Sequence, residues 1–374
     1  MRVLFTAGGT GGHFYPIIAI SEKLNKLIEK NKLYNVELLF MSDKVFDENL
    51  LTQNHITLKK ISTGKLRRYF SFENFIDIFK TVYAVLSVLI QMYKIYPDVV
   101  VGKGGYASFP ALFAARFFRI PVIIHESDSV PGKVNKWAGK FAYRIAVSYP
   151  SAAEFFPKDR TALVGNPLRE AVLSLSEGGA ELLGLEEGIP TIFILGGSQG
   201  SQKINDTIMQ IVGSLVKNYQ IIHQTGKANI KDVENISKSV LRDNEHRDRY
   251  KAFGHLNDEA MKMSAGAADI IVSRAGSSIF EIAAWGLPSI LIPLPDSGGD
   301  HQRKNAFTYA RTGAAVVVEE ANLTPHLLET EINRIMEDDN EREKMKVAAK
   351  GFAKLDAAEK VAEQIMQVLL EHRQ

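Results

Sequence analysis

Two glycine runs each follow a short apolar segment and precede a stretch with helical periodicity. Gly8-Gly9-Thr10-Gly11-Gly12-His13 follows Val3-Leu4-Phe5-Thr6-Ala7, and Gly196-Gly197-Ser198-Gln199-Gly200 follows Thr191-Ile192-Phe193-Ile194-Leu195. A loop without side chains lets its backbone approach an anion, and the N–H groups of a helix N-terminus favour negative charge there. Each loop therefore reads either as a phosphate cradle or as a tight turn. Neither ends in Gly-Lys-Ser/Thr, so neither is a P-loop, and neither carries GxGxxG spacing with an acidic residue after the second strand. His13 closes the first loop at a helix start. Its imidazole, with a reference pKa of ~6.5, would be kept neutral there and could serve as a general base. The other reading is a capping or packing residue. Ser198 offers a hydroxyl to a phosphate or caps the next helix, and the two roles are compatible.

Three further groups carry polar chemistry. Arg169 follows Val164-Gly165-Asn166-Pro167-Leu168 and either pairs with phosphate or lies in solvent. Glu281, in Ser273-Arg274-Ala275-Gly276-Ser277-Ser278-Ile279-Phe280-Glu281, stands about one turn into a helix. A carboxylate at that place accepts hydrogen bonds from ribose hydroxyls, or is a solvated helix residue. The segment from Pro293 to Ala306, containing Gly298-Gly299-Asp300-His301-Gln302, is dense in side chains that hydrogen-bond sugars. No two histidines lie three or four residues apart and no Asp-x-Asp occurs, which argues against a metal site.

The elements that must position these residues follow from the apolar pattern. Val36–Met41, Asp98–Val101, Pro121–His125 and Arg144–Val147 are candidate strands in the first half. Gln220–Gln224, Asp269–Val272, Pro288–Ile292 and Ala315–Val318 are their counterparts in the second. Continuous rather than alternating apolar runs predict parallel sheets covered on both faces. The fold class is therefore α/β, with two doubly wound domains facing across a cleft, each exposing ligand sites at the carboxyl ends of its strands. The domains are read as residues 1–164 and 165–351, with a last helix at about 352–374 able to fold back onto the first.

Composition excludes several classes. Of 374 residues 45% are hydrophobic and none is cysteine, which removes disorder, disulfide scaffolds, thiolate metal sites and cysteine nucleophiles. A net charge of +2 is too balanced for a dedicated nucleic-acid binder. The apolar stretch from Thr81 to Tyr93 lies between lysines and would span roughly 20 Å as a helix, short of the ~30 Å hydrocarbon core. A cytoplasmic protein is expected. Lys65-Leu66-Arg67-Arg68-Tyr69-Phe70 precedes Phe72, Phe75, Ile76, Phe79, Tyr83, Leu86 and Ile90, which fall at helical spacing. Such a basic and apolar helix either lies on an anionic membrane surface or contributes its stripe to the core.

Gly8–His13, His125-Glu126, Asn135-Lys136-Trp137, Gly165-Asn166-Pro167, Gly196–Gly200 and Ser273–Gly276 occur in an order that resembles one family. It is the peptidoglycan glycosyltransferases that add N-acetylglucosamine to undecaprenyl-pyrophosphoryl-N-acetylmuramoyl-pentapeptide, and the resemblance runs from about residue 3 to 360. It implies the two-domain GT-B fold and inverting transfer from UDP-N-acetylglucosamine to the acceptor C4 hydroxyl, giving a β-1,4 product. It also implies no cofactor, no bound metal, no nucleic-acid partner, and work at the cytoplasmic face of the bacterial membrane. On matching positions, Glu281 would bind ribose, Ser198 and Arg169 the diphosphate region, Gln302 the sugar and the backbone near Leu256 the uracil. Ser277 belongs to the same donor motif. Thr10, Gly11 and Gly12 would face the donor with His13 beside them as base, and Asn135 falls on the acceptor side. The chain departs from the family at Asp128, where Asn is common, and at His301-Gln302, where Gln-Gln is common. Ionised, Asp128 accepts but does not donate; it changes the available sugar contact and becomes a rival base. Diacylglycerol glycosyltransferases and nucleotide-sugar 2-epimerases share the architecture. A non-catalytic nucleotide-sugar-binding partner is a further reading, against which His13 and Glu281 in one chain argue.

Overall fold

The computed structural model describes residues 1–33, 35–61, 72–175, 178–197, 200–295 and 297–371; over 72–81 it describes the helix backbone. Two compact units result, residues 1–169 with 354–374, and residues 170–353. Each is built on one parallel sheet.

In the first unit the strands are β1 (Arg2–Thr6), β2 (Glu37–Ser42), β3 (Ile56–Lys60), β4 (Val99–Gly102), β5 (Val122–Glu126), β6 (Arg144–Val147) and β7 (Thr161–Leu163). Their spatial order is β3-β2-β1-β4-β5-β6-β7. In the second they are β8 (Thr191–Leu195), β9 (Gln220–Gln224), β10 (Tyr250–Phe253), β11 (Ile270–Ser273), β12 (Ser289–Leu291) and β13 (Ala315–Val317). These run in the order β10-β9-β8-β11-β12-β13. Both sheets thus reverse direction of winding beside their first strand, between β1 and β4 and between β8 and β11. Such a reversal opens a crevice at the carboxyl ends of the two strands.

Both faces of each sheet are covered, which is why the central strands are apolar without alternation. Ile192 and Ile194 of β8 enter one core with the helix Gln202–Leu215, while Phe193 and Leu195 enter another with the helix Ser278–Trp285. In the first unit, Val3 and Phe5 pack with Ile17, Ile20 and Leu24 of the helix Gly11–Lys30 and with Val361, Ile365 and Leu369. The last three belong to the helix Ala357–Glu371, so the end of the chain completes the first unit.

The segment 165–169 stays with the first unit, so the division falls after Arg169 rather than before Gly165. Its contacts explain this. The Gly165 carbonyl meets His125 Nε2 at 2.9 Å, and the Arg169 guanidinium lies 4.0 Å from the centre of the Tyr15 ring.

The helix Phe72–Ile95 has two apolar sides over its described side chains. Ala84, Val88 and Met92 are buried, whereas Tyr83, Leu86, Ile90 and Tyr93 are more than half exposed. Lys65, Arg67 and Arg68, together with Tyr69 and Phe70, lie outside the described residues, as do the side chains of Phe72, Phe75, Ile76 and Phe79. Among the described residues no helix is long and apolar enough to cross a membrane.

Candidate active site

The crevice of the first unit is floored by two glycine loops in backbone contact. Gly8 N donates to Gly104 O at 2.8 Å. A Cβ on Gly105, whose φ is +84°, would sit 2.7 Å from Gly8 Cα. A side chain there is therefore forbidden both by conformation and by space. The His13 ring rests on this floor, its Nδ1 3.0 Å from where a Gly8 Cβ would stand. Thr10 is the residue before the helix Gly11–Lys30, and its Oγ1 lies 3.0 Å from His13 Nδ1. When Nδ1–H donates to that hydroxyl, Nε2 keeps its lone pair. The amides of Gly11 and Gly12 open the helix and belong to its first turn, which lacks intrahelical acceptors.

Behind the second glycine loop lies a buried charged cluster. Glu126 ends β5 and accepts from the amides of Asp128 and Gly132 and from Asn135 Nδ2, each at 3.0 Å. Asn135 Nδ2 also reaches His125 O at 3.0 Å, and its amide packs against Gly104. Burial and the neighbouring Asp128 charge push the Glu126 carboxyl up, while Lys103 and the N–H donors pull it down. Lys103 is fully enclosed at the end of β4; burial moves its ammonium down to about 8 against the pull of Glu126 and Asp128. His125 is held well below its usual range, by burial first and then by the Lys103 charge. Its Nε2 faces a carbonyl, so that nitrogen bears the proton. Tyr106 donates to Asp43 Oδ2 at 2.8 Å; burial and this bond push the phenol up to about 12.

The crevice of the second unit is built largely from backbone, amide and hydroxyl groups around one arginine and its glutamate partner. Gly200, with φ +78°, presses so closely on the Thr225 carbonyl that a Cβ would lie 2.0 Å from that oxygen. Ser201 caps the helix Gln202–Leu215 by accepting from Ile204 N and also accepts from Arg274 Nη2 at 2.6 Å. Arg274 donates further to Ile292 O at 3.1 Å and pairs with Glu320, so it ties the ends of β11 and β12 to the glycine loop. Gln224 spans two segments: its Nε2 donates to Gly197 O at 3.2 Å and its Oε1 accepts from Leu256 N at 3.1 Å. Ser277 precedes the helix Ser278–Trp285, and Glu281 stands in its first turn, half-buried. Gln302 Oε1 accepts from Leu294 N at 3.0 Å, and the Gln302 backbone N–H donates to Ser297 Oγ at 3.1 Å. Ser198 lies outside the described residues.

The sequence-predicted residues fall into two groups. Thr10, Gly11, Gly12, His13, Asp128, Asn135 and Arg169 belong to the first unit; Leu256, Ser277, Glu281 and Gln302 belong to the second. Sequence reasoning missed Lys103 as a charge, the Asp43–Tyr106 pair and the bridging role of Gln224. The position of Lys103 between an apolar strand and two glycines was the available signal for it.

Each of the two doubly wound sheets opens a crevice at its winding reversal, an α/β architecture of the nucleotide-binding type. Comparison with known proteins gives the family. The glycosyltransferase family 28 N-terminal domain matches residues 3–147, and the C-terminal domain of the same family matches residues 191–361. The chain belongs to glycosyltransferase family 28. It is 34% identical over 367 residues to the UDP-N-acetylglucosamine–N-acetylmuramyl-(pentapeptide) pyrophosphoryl-undecaprenol N-acetylglucosamine transferase of Bacillus licheniformis, covering 96% of this chain and 97% of that one. The identically named protein of Treponema denticola is 36% identical over 336 residues, covering 87% and 85%. Among solved structures, MurG of Acinetobacter baumannii shares the fold with a TM-score of 0.73 at 24% identity, over 98% of this chain and 99% of that one.

Proposed function

We propose that this chain transfers N-acetylglucosamine from UDP-N-acetylglucosamine to the C4 hydroxyl of undecaprenyl-pyrophosphoryl-N-acetylmuramoyl-pentapeptide. The observation that carries the reading is the match, over nearly the whole length of both chains, to relatives named for this reaction. The chemistry of the crevices agrees with it. In a single displacement the acceptor oxygen bonds to the anomeric carbon as the bond from that carbon to the UDP oxygen breaks, inverting the configuration. The proton leaves the acceptor hydroxyl for His13 Nε2, with Nδ1–H held by Thr10. The departing diphosphate gains charge, which the amides of the Gly196–Gly200 loop and the helix behind it offset, Ser198 adding a hydroxyl and Arg169 positive charge.

In this reading Glu281 accepts from the ribose hydroxyls, with Ser277 beside it at the helix start. The Leu256 amide is engaged by Gln224, so the uracil meets the carbonyl of that segment. Gln302 has its side-chain oxygen committed to Leu294 and offers its side-chain Nε2–H to the sugar. Gly11 and Gly12 present their amides at the reacting end, Asp128 lines the first unit's share of the substrate site, and Asn135, buried behind it, fixes Glu126 and the Gly104 loop rather than reaching the substrate. Contact with the lipid is made by the exposed Tyr83, Leu86, Ile90 and Tyr93 stripe with Phe117, flanked by the exposed Lys94, Arg116 and Arg119. Such a face suits an anionic membrane surface.

The test is incubation with labelled UDP-N-acetylglucosamine and candidate lipid acceptors, each in anionic and in zwitterionic vesicles. The expected product is the lipid-linked disaccharide with release of UDP, formed faster on anionic vesicles. Transfer to diacylglycerol instead, or epimerisation without transfer, would overturn the reading.

A further inference from the structure

His223 is a polar residue in an apolar place. On β9 it points to the same side as Ile221, which packs with Ile204 and Ile208 of the helix Gln202–Leu215, yet position 223 carries a fully buried imidazole. A buried polar group costs free energy unless its hydrogen bonds are made. Here they are made, and they run in one direction. The Tyr250 hydroxyl lies 2.9 Å from His223 Nδ1, and His223 Nε2 lies 3.0 Å from Asn205 Oδ1. Asn205 Nδ2 in turn donates to the Thr225 carbonyl at 3.0 Å. A carbonyl only accepts, so Asn205 turns its N–H to Thr225 and its oxygen to His223, whose Nε2 bears the proton. The chain of donors thus ends on the oxygen against which Gly200 is pressed. Asn229 Nδ2 donates to the same oxygen at 3.0 Å, so the end of β9, two helix starts and the glycine loop are tied together there.

We propose that His223 is a positioning residue for the diphosphate of the donor: through Asn205 it fixes the Thr225 carbonyl, and through that carbonyl the course of the Gly196–Gly200 loop. This rests on the function proposed above, in which the amides of that loop meet the diphosphate. His223 touches no substrate itself. An apolar side chain would fill its place in the core, but it would lack the donor that keeps the Asn205 amide the right way round. Without that donor the amide can turn over, and two acceptor oxygens then face each other beside Gly200. The carbonyl shifts, and the glycine loop shifts with it.

Dissociation constants for UDP and for uridine, measured on the whole protein, separate this role from a general loss of packing, because uridine lacks only the diphosphate. H223M and H223Q have side chains of nearly equal length, and only the second carries an N–H donor. H223M is expected to weaken UDP about fivefold or more, the worth of one hydrogen bond, and uridine by less than about twofold. H223Q should stay within about twofold of the unmodified protein for both ligands. H223M/N205A should bind UDP no more weakly than N205A alone, because His223 acts through Asn205. Equal losses for UDP and uridine, a normal UDP constant in H223M, an H223Q as impaired as H223M, or losses that multiply in the double variant would overturn the proposal. Should H223M fail to fold, replacing His223 by thienylalanine keeps a five-membered ring without either nitrogen. The same UDP-selective loss is then expected, and its absence overturns the proposal. An unmodified protein that binds UDP no more tightly than uridine would overturn the diphosphate assignment of the loop, whereas selective UDP binding that ignores position 223 overturns the His223 assignment alone.

Discussion

The crevice beside β1 and β4 gathers titratable groups: His13 on a glycine floor, with Lys103, Glu126, Asp128 and the Asp43–Tyr106 pair behind it. The crevice beside β8 and β11 has the same place in the same strand order, yet it is lined by glycine backbone, glutamine amides and serine hydroxyls gathered by Arg274. One supersecondary plan thus serves two chemistries. Most of the groups able to exchange protons gather in the first crevice, whereas in the second, apart from Glu281 and the Glu320 partner of Arg274, amides and hydroxyls predominate. A transferase gains from this separation. On the proposed assignment the amides and hydroxyls of the second crevice hold the nucleotide without titrating, and the pH response of turnover belongs chiefly to the unit that removes the proton.

The sharpest way to break this contrast is His13→Ala. It should lower kcat by ~10²–10⁴, the usual loss for a general base, with UDP affinity unchanged in a binding titration. Weakened UDP binding would mean that the first unit also holds the nucleotide. Glu281→Ala should do the converse. Removing a carboxylate that accepts two hydroxyl donors costs about 1.5–3 kcal/mol, a rise of roughly ten- to hundredfold in the UDP dissociation constant, while kcat at saturating donor falls much less.

A smaller effect sharpens the comparison from the side of stability. His223 is enclosed in the second unit between Tyr250 and Asn205, at 2.9 and 3.0 Å, and burial holds it down to about 3. Asn205 Nδ2 donates to Thr225 O, so its Oδ1 accepts from His223 Nε2–H and Nδ1 accepts from the Tyr250 hydroxyl. The ring is therefore neutral when folded. Unfolded, it has its ordinary value near ~6.5 and takes up a proton that the folded ring refuses, so stability falls as pH drops below about 6.5 and keeps falling towards 3. Between pH 7.5 and 5.5 the loss should be about 1.4 kcal/mol, read as lower amide protection factors along β9 once the pH dependence of intrinsic exchange is divided out, and suppressed in His223→Gln.

The strands that the apolar pattern reveals are the covered ones, with the apolar edge strand β13 in addition. Those it leaves out, β3, β7 and β10, each lie at an edge of their sheet. Their residues are half in water: β3 is Ile-Thr-Leu-Lys-Lys, and two of the three residues of β7 are exposed. An edge strand is defined by the neighbour it pairs with, and a local window does not contain that neighbour. The site divides in the same way. Glycine runs at strand ends announce the two loops, because the constraint that requires glycine is local to each crossover. The Tyr106–Asp43 bond joins residues 63 apart, and Lys103 meets Glu126 and Asp128 only because β4 and β5 are adjacent. Topology makes those partnerships, so only the folded chain displays them. The end of the first domain shows the same limit: Gly165-Asn166-Pro167 reads as a boundary, but the His125 and Tyr15 contacts keep the chain in the first unit through Arg169.

The helix Ala357–Glu371 packs on the helix Gly11–Lys30 and closes a core that the first 169 residues leave open. On the ribosome these two partners emerge far apart in time. At ~5–20 residues per second, the intervening stretch takes roughly fifteen to sixty-five seconds to make. Throughout that interval the side chains awaiting Val361, Ile365 and Leu369 have no cover, although the strands beneath them are already present. The unit synthesised first is thus the one finished last. A nascent chain halted after residue 353 should carry a folded second unit and an incomplete first one, a natural client for chaperones that bind apolar surface.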